Sequence, residues 1–107
     1  MAEILPVRGR VYMADLEGDG PKPWLVVSRA VRNQKLRDVL VVRITTSKKP
    51  DLETIVELGP HDPLVGRVLC DDIGPLYRDE IKVDVGALSP ATMAKVAAAL
   101  RVSLALD

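Results

Sequence analysis

The sequence predicts a mainly β protein of the α+β class, a small β-barrel or half-barrel with a C-terminal helix. Three observations indicate this fold: short runs rich in Val, Ile and Leu, Gly- and Pro-rich segments between them, and a helical apolar pattern near the end. A chain of 107 residues buries one modest core, so we expect a single domain over residues 1–107.

The first half of the chain predicts three strands. Val11–Leu16 has β-forming residues in rough alternation, Trp24–Ser28 is a continuous apolar run, and Val39–Ile44 has the strongest strand pattern. Glu17–Pro23 holds two glycines and two prolines, so we expect a loop there. The basic segment Arg29–Arg37 is either a loop or one helical turn.

The second half predicts three more strands, at Thr54–Leu58, Arg67–Ile73 and Lys82–Leu88, with a short helix at Tyr77–Ile81. A longer helix follows Ser89 and Pro90, because serine is a good N-cap and proline suits the first helical position. Its apolar residues recur at the spacing of one helical face: Met93, Val96, Ala97, Leu100 and Leu104.

Composition excludes several classes of protein. The single cysteine, Cys70, rules out an internal disulfide and a cysteine-rich zinc site, which fits a reducing cytoplasm. The N-terminus does not resemble a signal peptide, and no apolar run approaches the ~20 residues that span a bilayer. Asp71 and Asp72 are neighbours on a predicted strand and point to opposite faces, so we expect no metal site and no cofactor.

Charge is unevenly distributed along the chain. Residues 1–49 contain ten Lys/Arg against five Asp/Glu, and residues 50–107 contain five against ten, which gives +5 and −5. This asymmetry indicates an anionic partner for one face, or a mixed and solvated surface.

A candidate catalytic group lies where two predicted strands begin and end. Lys22 stands between two prolines at the entrance to one strand, Glu17 and Asp19 precede it, and Thr46 and Ser47 end the next strand. A stiffly held cation beside hydroxyls and carboxylates suits chemistry on a phosphodiester. The alternatives are a solvated loop lysine and hydroxyls that merely end a strand.

A nucleic-acid groove is a second hypothesis from the basic residues. Trp24 or Tyr12 could stack on a base of single-stranded RNA, or could fill the core instead. The cations that could contact phosphates follow the second and third strands: Arg29, Arg32, Lys35, Arg37, Lys48 and Lys49.

The order of these pieces resembles the MazF/PemK (Kid-like) toxins of type II toxin–antitoxin systems, from Arg8 to Leu106. The resemblance rests on RGRVYMADL, KPWLVVS, Asn33, ITTS, GRVLCDDI and LSPATMAKVAAAL. It implies one toxin domain over residues 1–107, with an SH3-like or CcdB-like β-barrel. It also implies a symmetric homodimer, a cognate antitoxin partner and no cofactor.

The activity that this resemblance implies is metal-independent cleavage of single-stranded RNA (mRNA, tRNA or rRNA) to 2′,3′-cyclic phosphate and 5′-OH ends. Two alternatives stay open. One is a CcdB-like gyrase poison without enzymatic activity. The other is a catalytically weakened member that acts through antitoxin binding.

The resemblance also implies roles for individual residues. Lys22 takes the place of a catalytic arginine, Thr46 supplies the hydroxyl with Ser47 beside it, and Glu17 takes the place of a glutamate that some members carry. For the reaction itself we expect Glu17 or Asp19 to be the general base. Lysine lacks the bidentate fork of arginine, and glycine at position 74 stands where the family often has an arginine. The RNA-binding residues would be Arg29, Arg32, Asn33, Lys35, Lys48 and Lys49.

Overall fold

The computed structural model describes residues 3–106 of the chain. Its elements, in chain order, are β1 (Arg10–Ala14), β2 (Lys22–Val26), α1 (Ala30–Lys35), β3 (Asp38–Thr45), β4 (Ile55–Glu57), β5 (Arg67–Tyr77), a 3₁₀ helix (Arg78–Glu80), β6 (Ile81–Ala87) and α2 (Pro90–Ser103). Neither described α-helix is long and apolar enough to cross a membrane. The prediction of a mainly β fold with a C-terminal helix is confirmed.

The six strands form one antiparallel sheet in the order β4-β5-β3-β2-β1-β6. The edge strands β4 and β6 do not pair with each other within residues 3–106, so the sheet stays open. Of the two architectures expected from the sequence, the half-barrel therefore describes the molecule, and the closed barrel does not.

Both faces of the central strands are buried, which explains their continuous apolar sequences. In β3, the consecutive residues Val41 and Val42 are 1% and 0% exposed and belong to different apolar clusters. The cluster of Val42 includes Val96 and Ala99 of α2. The cluster of Val41 includes Tyr12, Trp24 and Leu76 on the opposite face.

Two strands run through prolines where the sequence predicted a loop or a strand end. β2 begins at Lys22 and carries Pro23 opposite Met13 of β1. β5 extends past Ile73 to Tyr77 and carries Pro75 opposite Leu40 of β3. Proline has no backbone N–H to donate, but the hydrogen bonds of the neighbouring residue pairs keep each strand in the sheet. Lys22 therefore belongs to a strand.

A bulge bends β5 in its middle. Val42 of β3 lies opposite Ile73, but the next residue, Arg43, lies opposite Leu69. The segment 70–72 consequently has no partner in β3. Extra residues in one strand bend it and increase its local twist, so the two halves of β5 diverge beside Arg43.

Helix α2 starts as predicted. The Ser89 hydroxyl accepts a hydrogen bond from the Thr92 backbone N–H at 3.2 Å, and Pro90 is the first helical residue. Val96 and Ala99 face the sheet and are 0% and 3% exposed. The expectation for Leu104 was wrong, because the helix ends at Ser103 and Leu104 is 53% exposed.

Asp62 ties the loop after β4 to the start of α2. Its Oδ2 accepts from the Gly59 N–H at 2.6 Å and from the Thr92 hydroxyl at 2.7 Å, and its Oδ1 accepts from the Ser89 N–H at 2.7 Å. Partial burial opposes ionisation of the carboxyl, but hydrogen bonds from Ser89, Gly59 and Thr92 outweigh it and lower the pKa of Asp62.

We expect Asp62→Ala to lower the free energy of unfolding by about 2 kcal/mol at pH 7. The reason is that the backbone N–H groups of Gly59 and of the N-cap residue Ser89, and the Thr92 hydroxyl, lose their acceptor. Because the pKa of Asp62 is lowered by folding, this contribution is full above about pH 4 and disappears as the pH falls through the folded-state pKa. Urea unfolding at pH 7 and at successively lower pH measures both effects.

The matched control is Asp51→Ala, since Asp51 is exposed and makes no side-chain hydrogen bond or ion pair with the other described residues. An Asp62→Ala variant as stable as the parent at pH 7 would contradict this role of the carboxylate.

Candidate active site

Lys22 lies beside the hydroxyls that follow β3. The pairing of β2 with β3 sets Trp24 opposite Arg43, so the first residue of β2 is next to the last residues of β3. Lys22, Thr46 and Ser47 all line one cleft of about 570 Å³, which we call the Lys22 cleft. The remaining walls of this cleft are largely apolar: Met13, Pro23, Ile44, Leu64, Val65 and Val85.

The loop before β2 brings two carboxylates to the lysine. The Lys22 Nζ donates to Asp19 Oδ2 at 3.2 Å and lies 3.8 Å from Glu17 Oε1. The hydrogen bond and the charge of Lys22 lower the pKa of Asp19. Asp15 shapes this loop, because its carboxylate accepts from the backbone N–H groups of Gly18 and Gly20 at 2.7 and 3.3 Å.

Arg43 is a second cation at this site and was not among the residues expected there from the sequence. Its Nη1 lies 3.6 Å from the Glu17 Oε1, so Glu17 sits between two positive side chains. The Arg43 Nε is buried and has no hydrogen-bond partner among the described residues. The signal in the sequence was one charged residue within the apolar run of β3, VLVVRI.

The predicted RNA-binding residues do not form one surface. Lys48 and Lys49 follow Ser47 and line a neighbouring cleft with Arg67. Arg29 and Lys35 instead flank or belong to α1, which connects the other ends of β2 and β3. The eight residues of β3 separate the two groups by roughly 25 Å. Within one chain these cations therefore lie in two groups at opposite ends of β3, and which group contacts RNA stays a prediction.

Two of the predicted RNA-binding side chains hold α1 in place. Asn33 is 1% exposed; its amide donates to the Ser28 carbonyl at 2.8 Å and its Oδ1 accepts from the Ser28 hydroxyl at 2.5 Å. Arg32 donates to the Asp38 carbonyl at 2.9 Å and to its carboxylate at 3.1 Å. Asn33 is therefore unavailable to a ligand, contrary to the sequence-based expectation.

Trp24 and Cys70, which the sequence also brought into consideration, are part of the buried core. Trp24 is 8% exposed and donates its Nε1–H to the Ala14 carbonyl at 3.0 Å, so most of its ring fills the core. Burial, followed by the nearby charge of Asp71, raises the pKa of the Cys70 thiol to about 11. Within residues 3–106, no group of three or more His, Cys, Asp or Glu is arranged to hold a metal ion.

Fold and site together define a small open-sheet β protein with a cationic cleft at one end of its central strands. The chain belongs to the PemK/MazF toxin family, since it matches the model for a "PemK-like, MazF-like toxin of type II toxin-antitoxin system" over residues 7–104. The family resemblance seen in the sequence is thereby confirmed.

Named relatives agree with this assignment. The chain is 46% identical over 101 residues to "Endoribonuclease MazF1" of Mycobacterium bovis and to "Endoribonuclease MazF4" of Mycobacterium tuberculosis, and each match covers 94% of both proteins. A solved mycobacterial "Endoribonuclease in complex with its cognate antitoxin" superposes with a TM-score of 0.91 at 46% identity, covering 95% of this chain and 97% of that one.

A second solved structure, "Endoribonuclease from Mycobacterial species", superposes with a TM-score of 0.89 at 42% identity. The match covers 99% of this chain and 97% of the other chain. The fold is thus shared over nearly the full length of these two solved mycobacterial chains.

We expect Asn33→Ala to destabilise the fold by about 2 kcal/mol, because the buried Ser28 hydroxyl and carbonyl lose their partner. Arg29→Ala is the control, since Arg29 lies next to α1 but is exposed, and its loss should change stability by less than about 0.5 kcal/mol. Urea unfolding of both variants measures the difference. Equal stabilities would show that the Asn33 amide does not support the fold.

Proposed function

We propose that this chain is the toxin of a type II toxin–antitoxin pair and cleaves single-stranded RNA without a metal ion. The observation that carries the proposal is the meeting of Lys22, Thr46 and Ser47 in one cleft, with Glu17 against the lysine. A cation, hydroxyl donors and a carboxylate are the groups that a transesterification at phosphorus needs. The named relatives are themselves called endoribonucleases.

In the proposed reaction, the ribose 2′-OH gives its proton to a carboxylate and its oxygen forms a bond to the adjacent phosphorus. The bond between phosphorus and the 5′-oxygen breaks, and the leaving oxygen takes a proton from the Lys22 ammonium. The products are a 2′,3′-cyclic phosphate and a 5′-OH. Lys22 also neutralises the charge that builds up on the five-coordinate phosphorus, while Thr46 donates a hydrogen bond to a phosphate oxygen, supported by Ser47.

Glu17 suits the role of general base better than Asp19. Asp19 is 64% exposed, and its hydrogen bond from Lys22 lowers its pKa, which makes it a weaker base. Glu17 is less exposed, at 46%, and its Oε1 lies 3.8 Å from the Lys22 Nζ and 3.6 Å from the Arg43 Nη1. This placement keeps a carboxylate at the cleft, and proton transfer requires that it reach hydrogen-bond distance in the bound complex.

Lysine in place of arginine changes what the cation can do. A guanidinium binds phosphate through two parallel N–H groups, whereas an ammonium is a point charge. An ammonium, however, gives up its proton more readily than a guanidinium does. We therefore assign Lys22 both charge neutralisation and protonation of the leaving oxygen.

The partners in this proposal are single-stranded RNA, a cognate antitoxin and a second copy of the chain, acting in the cytoplasm. A related structure is described as a complex of an endoribonuclease with its cognate antitoxin. For the RNA, Lys48 and Lys49 follow Ser47 and line the neighbouring cleft, in which Arg67 is paired with Glu57 at 3.1 Å. We propose that the phosphates next to the cleaved bond follow these residues.

We expect Lys22→Ala to reduce RNA cleavage about 100- to 1,000-fold, the usual cost of removing one group that stabilises transition-state charge. The assay incubates purified protein with end-labelled RNA in EDTA and identifies cyclic phosphate ends on the products. Folding should be unaffected, because among the described residues the Lys22 ammonium pairs only with the exposed carboxylates of Glu17 and Asp19, and such ion pairs contribute little to stability.

Lys82→Ala is the matched control for this test, since Lys82 is an exposed strand lysine away from the Lys22 cleft. Cleavage by Lys22→Ala at the rate of the parent would refute the mechanism. If the parent protein leaves the RNA intact, nuclease activity is refuted. The two alternatives, gyrase binding and antitoxin binding alone, would then be favoured.

We expect the double change Lys48→Ala and Lys49→Ala to raise KM. The slope of the logarithm of the RNA-binding constant against the logarithm of the salt concentration should also become shallower by about 0.7 for each lost phosphate contact. The matched control is the double change Arg29→Ala and Lys35→Ala at the α1 end of the sheet. It removes the same charge and should leave KM and the slope unchanged. A larger effect of the α1 pair would show that the RNA binds at that end of the sheet instead.

A further inference from the structure

A second cleft adjoins the Lys22 cleft, and apart from Glu17 its lining residues take no proton and donate none in the proposed reaction. It has a volume of about 340 Å³ and lies at the bend of β5. Arg43 lines both clefts, and Glu17, which contacts Lys22, lines the second one. We call it the Gly74 cleft; the residues that matter to its chemistry are Trp24, Arg43, Asp72, Ile73, Gly74 and Pro75.

We propose that the Gly74 cleft binds one unstacked nucleobase of the RNA, guanine in preference to the others, next to the cleaved bond. This inference rests on the proposed function. Its geometric basis is the shared wall: Arg43 and Glu17 connect the two clefts, so a nucleotide with its phosphate at Lys22 can place its base beyond Arg43. Sequence-specific proteins read single-stranded RNA through bases splayed out in this way.

The size and lining of the cleft suit a single base. Ligand pockets range from about 300 to 1,000 Å³, so about 340 Å³ admits one base and leaves little room for more. Ile73, Pro75 and the accessible edge of Trp24 supply apolar surface.

The polar groups of the cleft favour guanine. Arg43 lines the cleft with a side chain that is 30% exposed, and its guanidinium brings N–H donors. Guanine presents O6 and N7 as a pair of acceptors for which arginine is the commonest partner. Asp72 brings a carboxylate acceptor to the same cleft, and guanine carries N1–H and N2–H donors on its remaining edge. The other three bases lack this combination.

Gly74 keeps the cleft open and provides the means to test it. No heavy atom of the described chain, apart from the two neighbouring residues, lies within 4 Å of a Cβ built on Gly74. Its φ is also outside the left-handed region that excludes larger residues. Gly74→Leu can therefore fill the cleft without forcing the backbone into a strained conformation.

The cleavage test begins with the parent protein and a mapped cut site. Each position around the cut is replaced in turn by guanine, adenine, cytosine, uracil or an abasic residue, and kcat/KM is measured for each oligonucleotide. At one position, loss of guanine should cost the parent about tenfold, the order of magnitude of one stacked base. For Gly74→Leu the guanine and abasic oligonucleotides should be cut equally fast.

Ala94→Leu is the matched control, because it adds the same side chain on an exposed position of α2 and should keep the tenfold preference. A Gly74→Leu variant that retains the preference overturns the inference while the proposed function stands. Equal kcat/KM values of the parent for all bases at every position would also overturn the inference.

A binding experiment tests the cleft even where no cleavage is seen. Trp24 is the single tryptophan of the chain and lines the cleft, so its indole N–H, which is bonded to the Ala14 carbonyl, gives one identifiable NMR signal from a ring beside the bound base. GMP should shift this signal in a saturable way in the parent and in Ala94→Leu, but not in Gly74→Leu, and UMP should shift it less. Absence of a GMP shift in the parent overturns the inference independently of any nuclease assay.

Discussion

The antiparallel pairing of β2 with β3 is the constraint on which the site depends. Trp24 opposite Arg43 and Val26 opposite Val41 fix the register, which sets Lys22 beside the end of β3. Both strands are buried on both faces, so a slip by one residue would exchange the apolar clusters above and below the sheet. The free energy of core packing therefore holds Lys22 and Thr46 in one cleft.

The charged groups at the site contribute little to folding, and this leaves them free for chemistry. Lys22, Glu17 and Asp19 form partly exposed ion pairs, which contribute little to stability. A phosphate that enters the cleft can take the place of a carboxylate near Lys22 at small cost. By contrast, the buried amide of Asn33 and the carboxylate of Asp62 are committed to hydrogen bonds that join elements of the fold.

Sequence patterns predicted the secondary structure correctly where its cause lies within a few neighbouring residues. They failed where pairing with a distant strand determines the conformation. The helix cap at Ser89 and the six strands follow from capping and apolar periodicity, which act locally. The same rules placed Pro23 in a loop and ended β5 at Ile73, although pairing carries both strands through proline. Leu104 was assigned to the packed face because periodicity alone does not mark the last helical residue.

The sequence by itself determined the family, the strands and helix, and the cation, carboxylates and hydroxyls of the candidate site, since these depend on residue type and order. The tertiary structure decided which of them meet. It separated Lys48 and Lys49 from Arg29 and Lys35, and it added Arg43 to the site. These outcomes depend on strand register and on the bulge in β5, which arise from contacts between distant parts of the chain.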